Sequence, residues 1–381
     1  MVDLKGQYEP IKEQVNRTIQ EVIDTTAFIN GPEVHGFQKD LEDYLNVKHV
    51  IPCANGTDAL QISLMALGVG PGDAVFVPSF TFTATAEAIV LVGATPVFVD
   101  INTDTFNIDP TSLEEAIEST KDFRRSAIIA VDLFGQPADF EKLEQIAADY
   151  HLDLLVDAAQ SLGGRHKTSN VGTLGDVTTT SFFPSKPLGC YGDGGAVLTK
   201  NDQIAEAAKS IRVHGSGSAK YENSRFGLNS RLDTLQAAIL LAKLPVFDEE
   251  IVARRQIADR YSSVLSDVVK TPIVRTDVHS VWANYTIKVS SRDSLRKELQ
   301  SRQIPTAVYY PKSIHQRGPY REFPTAPKGL LNSERVSKLV LSLPIHPYLD
   351  HSSQNQIINA VTDLVSVEKS SGAAIPGIRR F

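Results

Sequence analysis

The sequence predicts an α/β protein: a large domain with a mostly parallel, mixed sheet between helices, followed by a smaller α+β domain. Three observations lead there. The chain has 381 residues, too many for one small core, so a large domain with a smaller companion is expected. Short apolar runs alternate with amphipathic stretches as far as Arg212, the pattern of strands buried on both faces and joined by crossover helices. Beyond Pro245 the alternation becomes irregular, as at the start of a second domain.

From the N-terminus, Tyr8 to Thr25 reads as a helix, with Ile11, Val15, Ile19, Val22 and Ile23 at helical spacing. Ile29-Asn30-Gly31-Pro32 breaks it. Strands are predicted at Val50-Ile51, Ala74 to Val77, Pro96 to Asp100, Ala127 to Val131, Leu152 to Val156, Thr178 to Phe182 and Gly195 to Leu198. Helices fall between them, as at Thr57 to Leu67, Ala84 to Val92, Asp139 to Tyr150 and Asp202 to Arg212. Leu232 to Leu244 and Phe247 to Leu265 read as helices parted at Pro245. In the smaller domain Val281 to Val289 and Thr306 to Tyr310 read as strands, Ser291 to Gln303 and Ser352 to Val365 as helices. The expected division is 1–246 for the large domain, its N-terminal helix packing on the small one, 247–367 for the small domain, and 368–381 for a flexible tail rich in Ser, Gly, Pro and Arg.

Composition narrows the function. The hydrophobic fraction of 42% and charged fraction of 22% are those of a globular enzyme. A net charge of −7 argues against a general nucleic-acid surface and leaves room for local anion pockets. Cys53 and Cys190 have no second cysteine at metal spacing, so neither a zinc site nor a disulfide framework is expected, and a reducing cytosol fits best. Met1-Val2-Asp3-Leu4-Lys5-Gly6 lacks the apolar core of a signal peptide, and no apolar run of about eighteen residues occurs. The expectation is a cytoplasmic protein with no membrane, nucleic-acid or metal partner.

Ligands of such sheets bind at the carboxyl ends of the strands, and the chemistry-bearing motifs fall there. Lys186 lies in Ser181-Phe182-Phe183-Pro184-Ser185-Lys186, before the glycine-dense Gly189-Cys190-Tyr191-Gly192-Asp193-Gly194-Gly195. An amine whose surroundings lower its pKa is a nucleophile toward aldehydes. Asp157 closes the apolar run Leu154-Leu155-Val156. A Schiff-base lysine and an aspartate able to pair a pyridinium nitrogen are what pyridoxal phosphate (PLP) requires. Gln160 could meet the ring's phenolic oxygen, and Phe82 could stack on its face, although aromatics in such runs are more often core. Asn55-Gly56-Thr57-Asp58 joins a strand to a helix, placing N–H groups of Gly56 and Thr57 where an anion could sit. Taken alone, a plain helix cap is the commoner explanation of those residues. Ser181 could add a phosphate contact. Each motif alone is outweighed by its structural explanation; together, in this order and in these loops, they point to PLP.

These motifs resemble the nucleotide-sugar aminotransferases, a branch of the PLP enzymes with the aspartate-aminotransferase fold. The resemblance covers Asp3 to about Val365. It is carried by Asn55-Gly56-Thr57-Asp58-Ala59-Leu60, Thr81-Phe82-Thr83-Ala84-Thr85, Asp157-Ala158-Ala159-Gln160, Ser181 to Lys186 and Asn229-Ser230-Arg231-Leu232-Asp233. It implies that Gly56, Thr57 and Ser181 hold the phosphate, with Asn229 reaching it from the neighbouring subunit of a homodimer with shared active sites. It also implies that Phe82 stacks on the ring, Asp157 meets the ring nitrogen, Gln160 meets the phenolic oxygen, and Lys186 carries the cofactor and moves protons. Within the branch the chain is most similar to UDP-2-acetamido-2-deoxy-ribo-hexuluronate aminotransferases. That likeness implies transfer of an amino group from glutamate to a UDP-linked 3-keto sugar acid, for amino sugars of surface polysaccharides such as lipopolysaccharide O-antigen. Arg231 would then pair the sugar's carboxylate, a bidentate task suited to arginine, and Tyr309 and Tyr310 would contact the sugar. The family often has His-Tyr-Pro where this chain has Tyr309-Tyr310-Pro311. A tyrosine there stays neutral near pH 7. Three alternatives remain: a dTDP- or UDP-linked 3-keto or 4-keto 6-deoxy sugar as acceptor, a PLP sugar dehydratase, and a non-catalytic regulatory homologue. Dehydratases of this fold typically replace the lysine with histidine. The intact Asp157, Gln160 and Lys186 set weighs against a silent homologue.

Overall fold

The computed structural model describes residues 2–120, 123–219 and 221–370. In chain order the strands are β1 (His49–Cys53), β2 (Asp73–Pro78), β3 (Thr95–Val99), β4 (Arg124–Val131), β5 (Asp153–Asp157), β6 (Arg165–His166), β7 (Ser169–Asn170), β8 (Val177–Ser181), β9 (Gly195–Thr199), β10 (Val278–His279), β11 (Tyr285–Lys288) and β12 (Val340–Leu343). The main sheet has the order β1-β9-β8-β5-β4-β2-β3. From β3 to β8 every pairing is parallel. β9 then runs antiparallel to β8, and β1 antiparallel to β9. β2 is buried at all its positions, as a strand covered on both faces must be. The covering helices carry Asx caps: Asn55 accepts from the Asp58 N–H, Asp109 from Thr111, and Asn201 from Gln203 and Ile204.

Three elements depart from the sequence reading. The Gly31-Pro32 break opens a helix, Pro32–Leu45. Proline at the first helical position loses no hydrogen bond and presets the backbone angle. Val34, Phe37, Leu41 and Leu45 bury its inner face. The strand expected at Thr306 to Tyr310 does not form. Ala307 makes an isolated bridge to Ser342, and the chain then leaves for the main sheet. The strand expected from Val281 begins only at Tyr285, because Trp282 has a φ of 53°, outside the extended region. The last helix runs His351–Ser370, so residues 368–370 of the expected tail 368–381 are helical, and residues 371–381 lie outside the described residues.

A second core forms around the β11–β12 pair from Tyr261, Leu265, Leu295, Leu299, Ile358 and Val361. The chain between Tyr310 and β12 returns to the large core. Ile314, Tyr320, Ala326 and Leu330 join it. The Phe98 N–H donates to the Pro324 carbonyl, and the Ala326 N–H to the Phe98 carbonyl. The Asp100 carboxylate accepts from the N–H groups of Asn332 and Ser333. This return brings Tyr309 and Tyr310 over the carboxyl edge of the sheet.

At that edge Gly195 opens β9 opposite Cys53. A Cβ there would lie 2.5 Å from the Asn55 carbonyl atoms, so the β1 turn fits only over glycine. Gly195→Ala is expected to lower stability by roughly 1–3 kcal/mol through overpacking. A urea denaturation midpoint equal to the wild type would contradict this packing.

Candidate active site

β5 ends in Asp157, buried with 7% of its surface exposed. The Thr85 hydroxyl donates to its Oδ2 at 2.8 Å, and the Ala159 N–H to its Oδ1 at 3.2 Å. Burial pushes this carboxyl above the usual range; the two donors and the charge of Lys186 oppose the shift. Lys186 lies on the loop that leaves β8. Its N–H donates to the Phe183 carbonyl at 2.8 Å. The N–H groups of Phe182 and Cys190 donate to the carbonyls of Gly194 and Phe182 at 2.7 and 2.8 Å, so the returning limb is hydrogen-bonded to the outgoing one. Desolvation lowers the Lys186 amine from its ordinary value, and the Asp157 charge restores part of the loss. An amine whose charged form burial disfavours, beside an oriented carboxyl, is therefore the chemical endowment of this edge.

The helix Gly56–Ala66 starts beside it. Asn55 satisfies the Asp58 N–H, so the Gly56 and Thr57 N–H groups stand at the positive end of the helix dipole. Ser181, the last residue of β8, lies against Gly56: a Cβ on Gly56 would come within 2.7 Å of the Ser181 Cβ. Glycine thus lets the helix head and the serine meet. The segment with Asn229 and Arg231 joins on this side, where the Ser230 hydroxyl accepts from the Ala54 N–H at 3.0 Å. Asn229 is exposed and bridged to Val213. Arg231 is half-buried, and its charge adds to burial in lowering Arg212.

Phe82, 56% exposed, stands before the helix Thr83–Leu91. Its ring is 6.3 Å from that of Tyr310, which also meets Phe80 edge-on at 6.0 Å. The Tyr309 ring lies 5.8 Å from that of Tyr310. Gln160 accepts from the Phe134 N–H through Oε1 at 2.8 Å and hydrogen-bonds the Tyr310 hydroxyl. With Oε1 taken by Phe134, the Gln160 amide nitrogen is the end that donates to the Tyr310 hydroxyl. The fold gathers Phe82, Asp157, Gln160, Lys186 and Tyr310 on one side, with Gly56, Thr57, Ser181, Asn229 and Arg231 on the other.

Sequence reasoning missed Thr85, Arg317 and Asp132. Arg317 lies 5.9 Å over the Tyr310 ring and donates to the Thr83 hydroxyl at 2.6 Å; its place in irregular chain gave no local signal. Asp132 follows β4 as Asp157 closes β5, and the acid after the apolar run Ile128 to Val131 was a usable signal. It accepts from the Ala138 N–H at 2.9 Å and the Ser161 hydroxyl at 2.7 Å. Its own N–H donates to the Asp157 carbonyl at 3.1 Å.

Burial raises the Asp132 pKa to about 7, and the Asp157 charge adds to the rise. A carboxyl raised on folding stabilises the fold below its unfolded pKa near 4 and loses that contribution as pH climbs to about 7. The melting temperature of Asp132→Asn minus that of the ligand-free wild type should therefore rise between pH 4 and 7. A difference that stays flat would contradict the shift.

Comparison with known proteins agrees with this geometry. A curated relative, the UDP-2-acetamido-2-deoxy-3-oxo-D-glucuronate aminotransferase of Pseudomonas aeruginosa, is 46% identical over 95% of this chain and 99% of its own. The crystal structure of a DegT DnrJ EryC1 StrS aminotransferase from Brucella abortus superposes with a TM-score of 0.94 at 47% identity, covering 95% of this chain and 98% of that one. The structure of NtdA from Bacillus subtilis with bound cofactor PMP superposes with a TM-score of 0.86 at 33% identity, covering 94% of this chain and 82% of that one. Residues 9–362 match the family as a whole, and the chain belongs to the DegT/DnrJ/EryC1/StrS aminotransferase family.

Proposed function

We propose that this aminotransferase moves an amino group from L-glutamate to the 3-keto carbon of a UDP-linked 2-acetamido-2-deoxy-hex-3-uluronate, in two half-reactions on PLP. The observation that carries the reaction is the desolvated Lys186 amine facing buried Asp157, beside the helix head at Gly56. The identity with the P. aeruginosa enzyme supports the sugar. The PMP in the B. subtilis structure, the aminated form of PLP, supports the cofactor.

The residues fit that cofactor. The close approach of Gly56 to Ser181 leaves backbone N–H groups and a hydroxyl for a phosphate. Asn229 is exposed, as a residue reaching the phosphate of a neighbouring subunit must be. The exposed face of Phe82 is apolar surface that a bound ring would cover. Asp157, fixed by Thr85 and Ala159, would accept a hydrogen bond from the ring nitrogen and keep it protonated. Gln160 offers its amide to the phenolic oxygen because Phe134 holds its carbonyl. Bound PLP supplies the electron sink and stores the amino group between the half-reactions. Lys186 holds the cofactor's aldehyde carbon. Once freed, its Nζ takes the proton from the donor's α-carbon and delivers it to C4′. With the sugar as substrate it moves the proton the other way.

Arg231 is assigned to the sugar carboxylate, and Tyr309 and Tyr310 to the sugar. Phe28, Ile29, Phe183 and Phe226 expose apolar side chains that a second copy of the chain would cover in a homodimer. The proposal includes a large cofactor-binding domain, 1–246, and a small domain, 247–367, supported by the separate core around β11 and β12. No helix among the described residues is long and apolar enough to cross a membrane. A cytoplasmic enzyme of surface-polysaccharide amino-sugar synthesis is the setting proposed.

Mass spectrometry of a reaction with glutamate and the UDP-linked 3-keto uronate should show the amino sugar and 2-oxoglutarate in equal amounts. Product only from neutral 6-deoxy keto sugars would overturn the substrate. Arg231→Lys should raise KM for the uronate about 10- to 100-fold, the loss of a charged hydrogen bond, and leave a neutral keto sugar unaffected. Equal effects on both sugars would remove Arg231 from carboxylate recognition. Lys186→Ala should abolish turnover and the visible absorbance of the lysine-bound cofactor; retention of both would sink the assignment.

A further inference from the structure

A buried polar cluster lies behind the Lys186 loop, and no step of the reaction uses it. Lys243, 2% exposed, ends the helix Thr234–Lys243. Its Nζ donates to the Gly189 carbonyl at 2.5 Å and to the Gln7 Oε1 at 2.8 Å, and stands 4.5 Å over the Tyr191 ring. The Gln7 amide donates to both carboxylate oxygens of Glu250 at 3.0 Å. The Tyr348 hydroxyl, from the chain after β12, donates to the same carboxylate at 2.6 Å. Arg254, 1% exposed, is a second cation, its pKa lowered by burial and partly restored by the Glu250 charge.

Burying an ammonium costs several kcal/mol, and an apolar side chain of similar size is often as good for stability. Stability alone therefore gives little reason for a lysine here. Its two contacts with the loop are specific. Gly189 and Tyr191 form the returning limb, three and five residues beyond Lys186. That limb also carries the Cys190 N–H bond to Phe182, and the Tyr191 N–H donates to Gln236 at 2.9 Å.

We infer that Lys243 is a positioning residue for Lys186, holding the returning limb of its loop at Gly189 and Tyr191. Gln7 and Glu250 extend the hold to Tyr348, so the short helix Leu4–Tyr8 and the chain after β12 both bear on the placement of the amine. The inference rests on Lys186 being the residue that carries the cofactor.

The test compares the wild-type holoenzyme with Lys243→Met, which keeps length and loses the donor, and Lys243→Arg, which keeps a donor. Three quantities are read: amide hydrogen exchange, the urea midpoint, and kcat against KM for glutamate. Lys243→Met should speed exchange at the Lys186 and Cys190 amides at least about tenfold, while exchange in the sheet stays as in wild type. It should lower kcat between about tenfold and a hundredfold with KM changed by less than about threefold. Lys243→Arg should recover part of both effects. Unchanged loop exchange and kcat would overturn the inference. So would faster exchange throughout the chain with a matching fall in the urea midpoint, which marks a merely structural lysine. If Lys243→Met does not fold, Lys243→Gln, neutral and shorter, takes its place with the same expected results. Failure of the underlying reading is separate: it appears as turnover and cofactor absorbance surviving in Lys186→Ala, whatever the loop exchange shows.

Discussion

An ammonium and a carboxylate taken out of water together each lose hydration that their attraction only partly restores. Lys186 and Asp157 are held in that condition. Burial lowers the amine and raises the acid, and each partner opposes the other's shift. The bonds from Thr85 and Ala159 fix the acid, and the hydrogen-bonded loop from Phe182 to Gly194 fixes the amine. For both groups burial outweighs these contacts in setting the direction of the shift. A ligand with a protonated ring nitrogen for the acid and a carbonyl carbon for the amine resolves both, and PLP has that pair of functions on one ring.

The order of the strands brings the remaining parts to the same edge. Asp157 and Ser181 close neighbouring parallel strands, β5 and β8. β9 reverses direction and starts where β8 ends, with Gly195 beside Ser181. β1 reverses again, so its last residue, Cys53, also faces Gly195. Two antiparallel turns thus return the head of the helix Gly56–Ala66 to the carboxyl edge, where it meets Ser181. In an all-parallel continuation these groups would arrive by other connections. The glycines at 56 and 195 are required because three backbones converge there.

Much of this was legible in the sequence because strand-end residues report their own position. An acid after Leu154-Leu155-Val156 and a Gly-Thr opening a helix are local signals, and the fold places both where the pattern predicts. Pro32 was read as a stop although proline at the first position starts a helix. Residues 306–310 have strand-like side chains, but their direction is set by the return of the chain to β3, a long-range constraint absent from the local pattern. Thr85 depends on a tertiary contact: its role follows from its hydrogen bond to Asp157. Lys243 was invisible for the opposite reason, since most lysines are exposed and nothing nearby in sequence says this one is buried.

The family likeness establishes an aminotransferase, and the proposed roles give Lys186 the amine, Asp157 the ring nitrogen and the head of the helix Gly56–Ala66 the phosphate. The most direct measurement is reduction of the PLP-loaded protein with sodium borohydride, followed by peptide mapping. The account predicts one phosphopyridoxyl adduct, on the peptide containing Lys186. An adduct on a different lysine, or none in protein that has bound the cofactor, would contradict it.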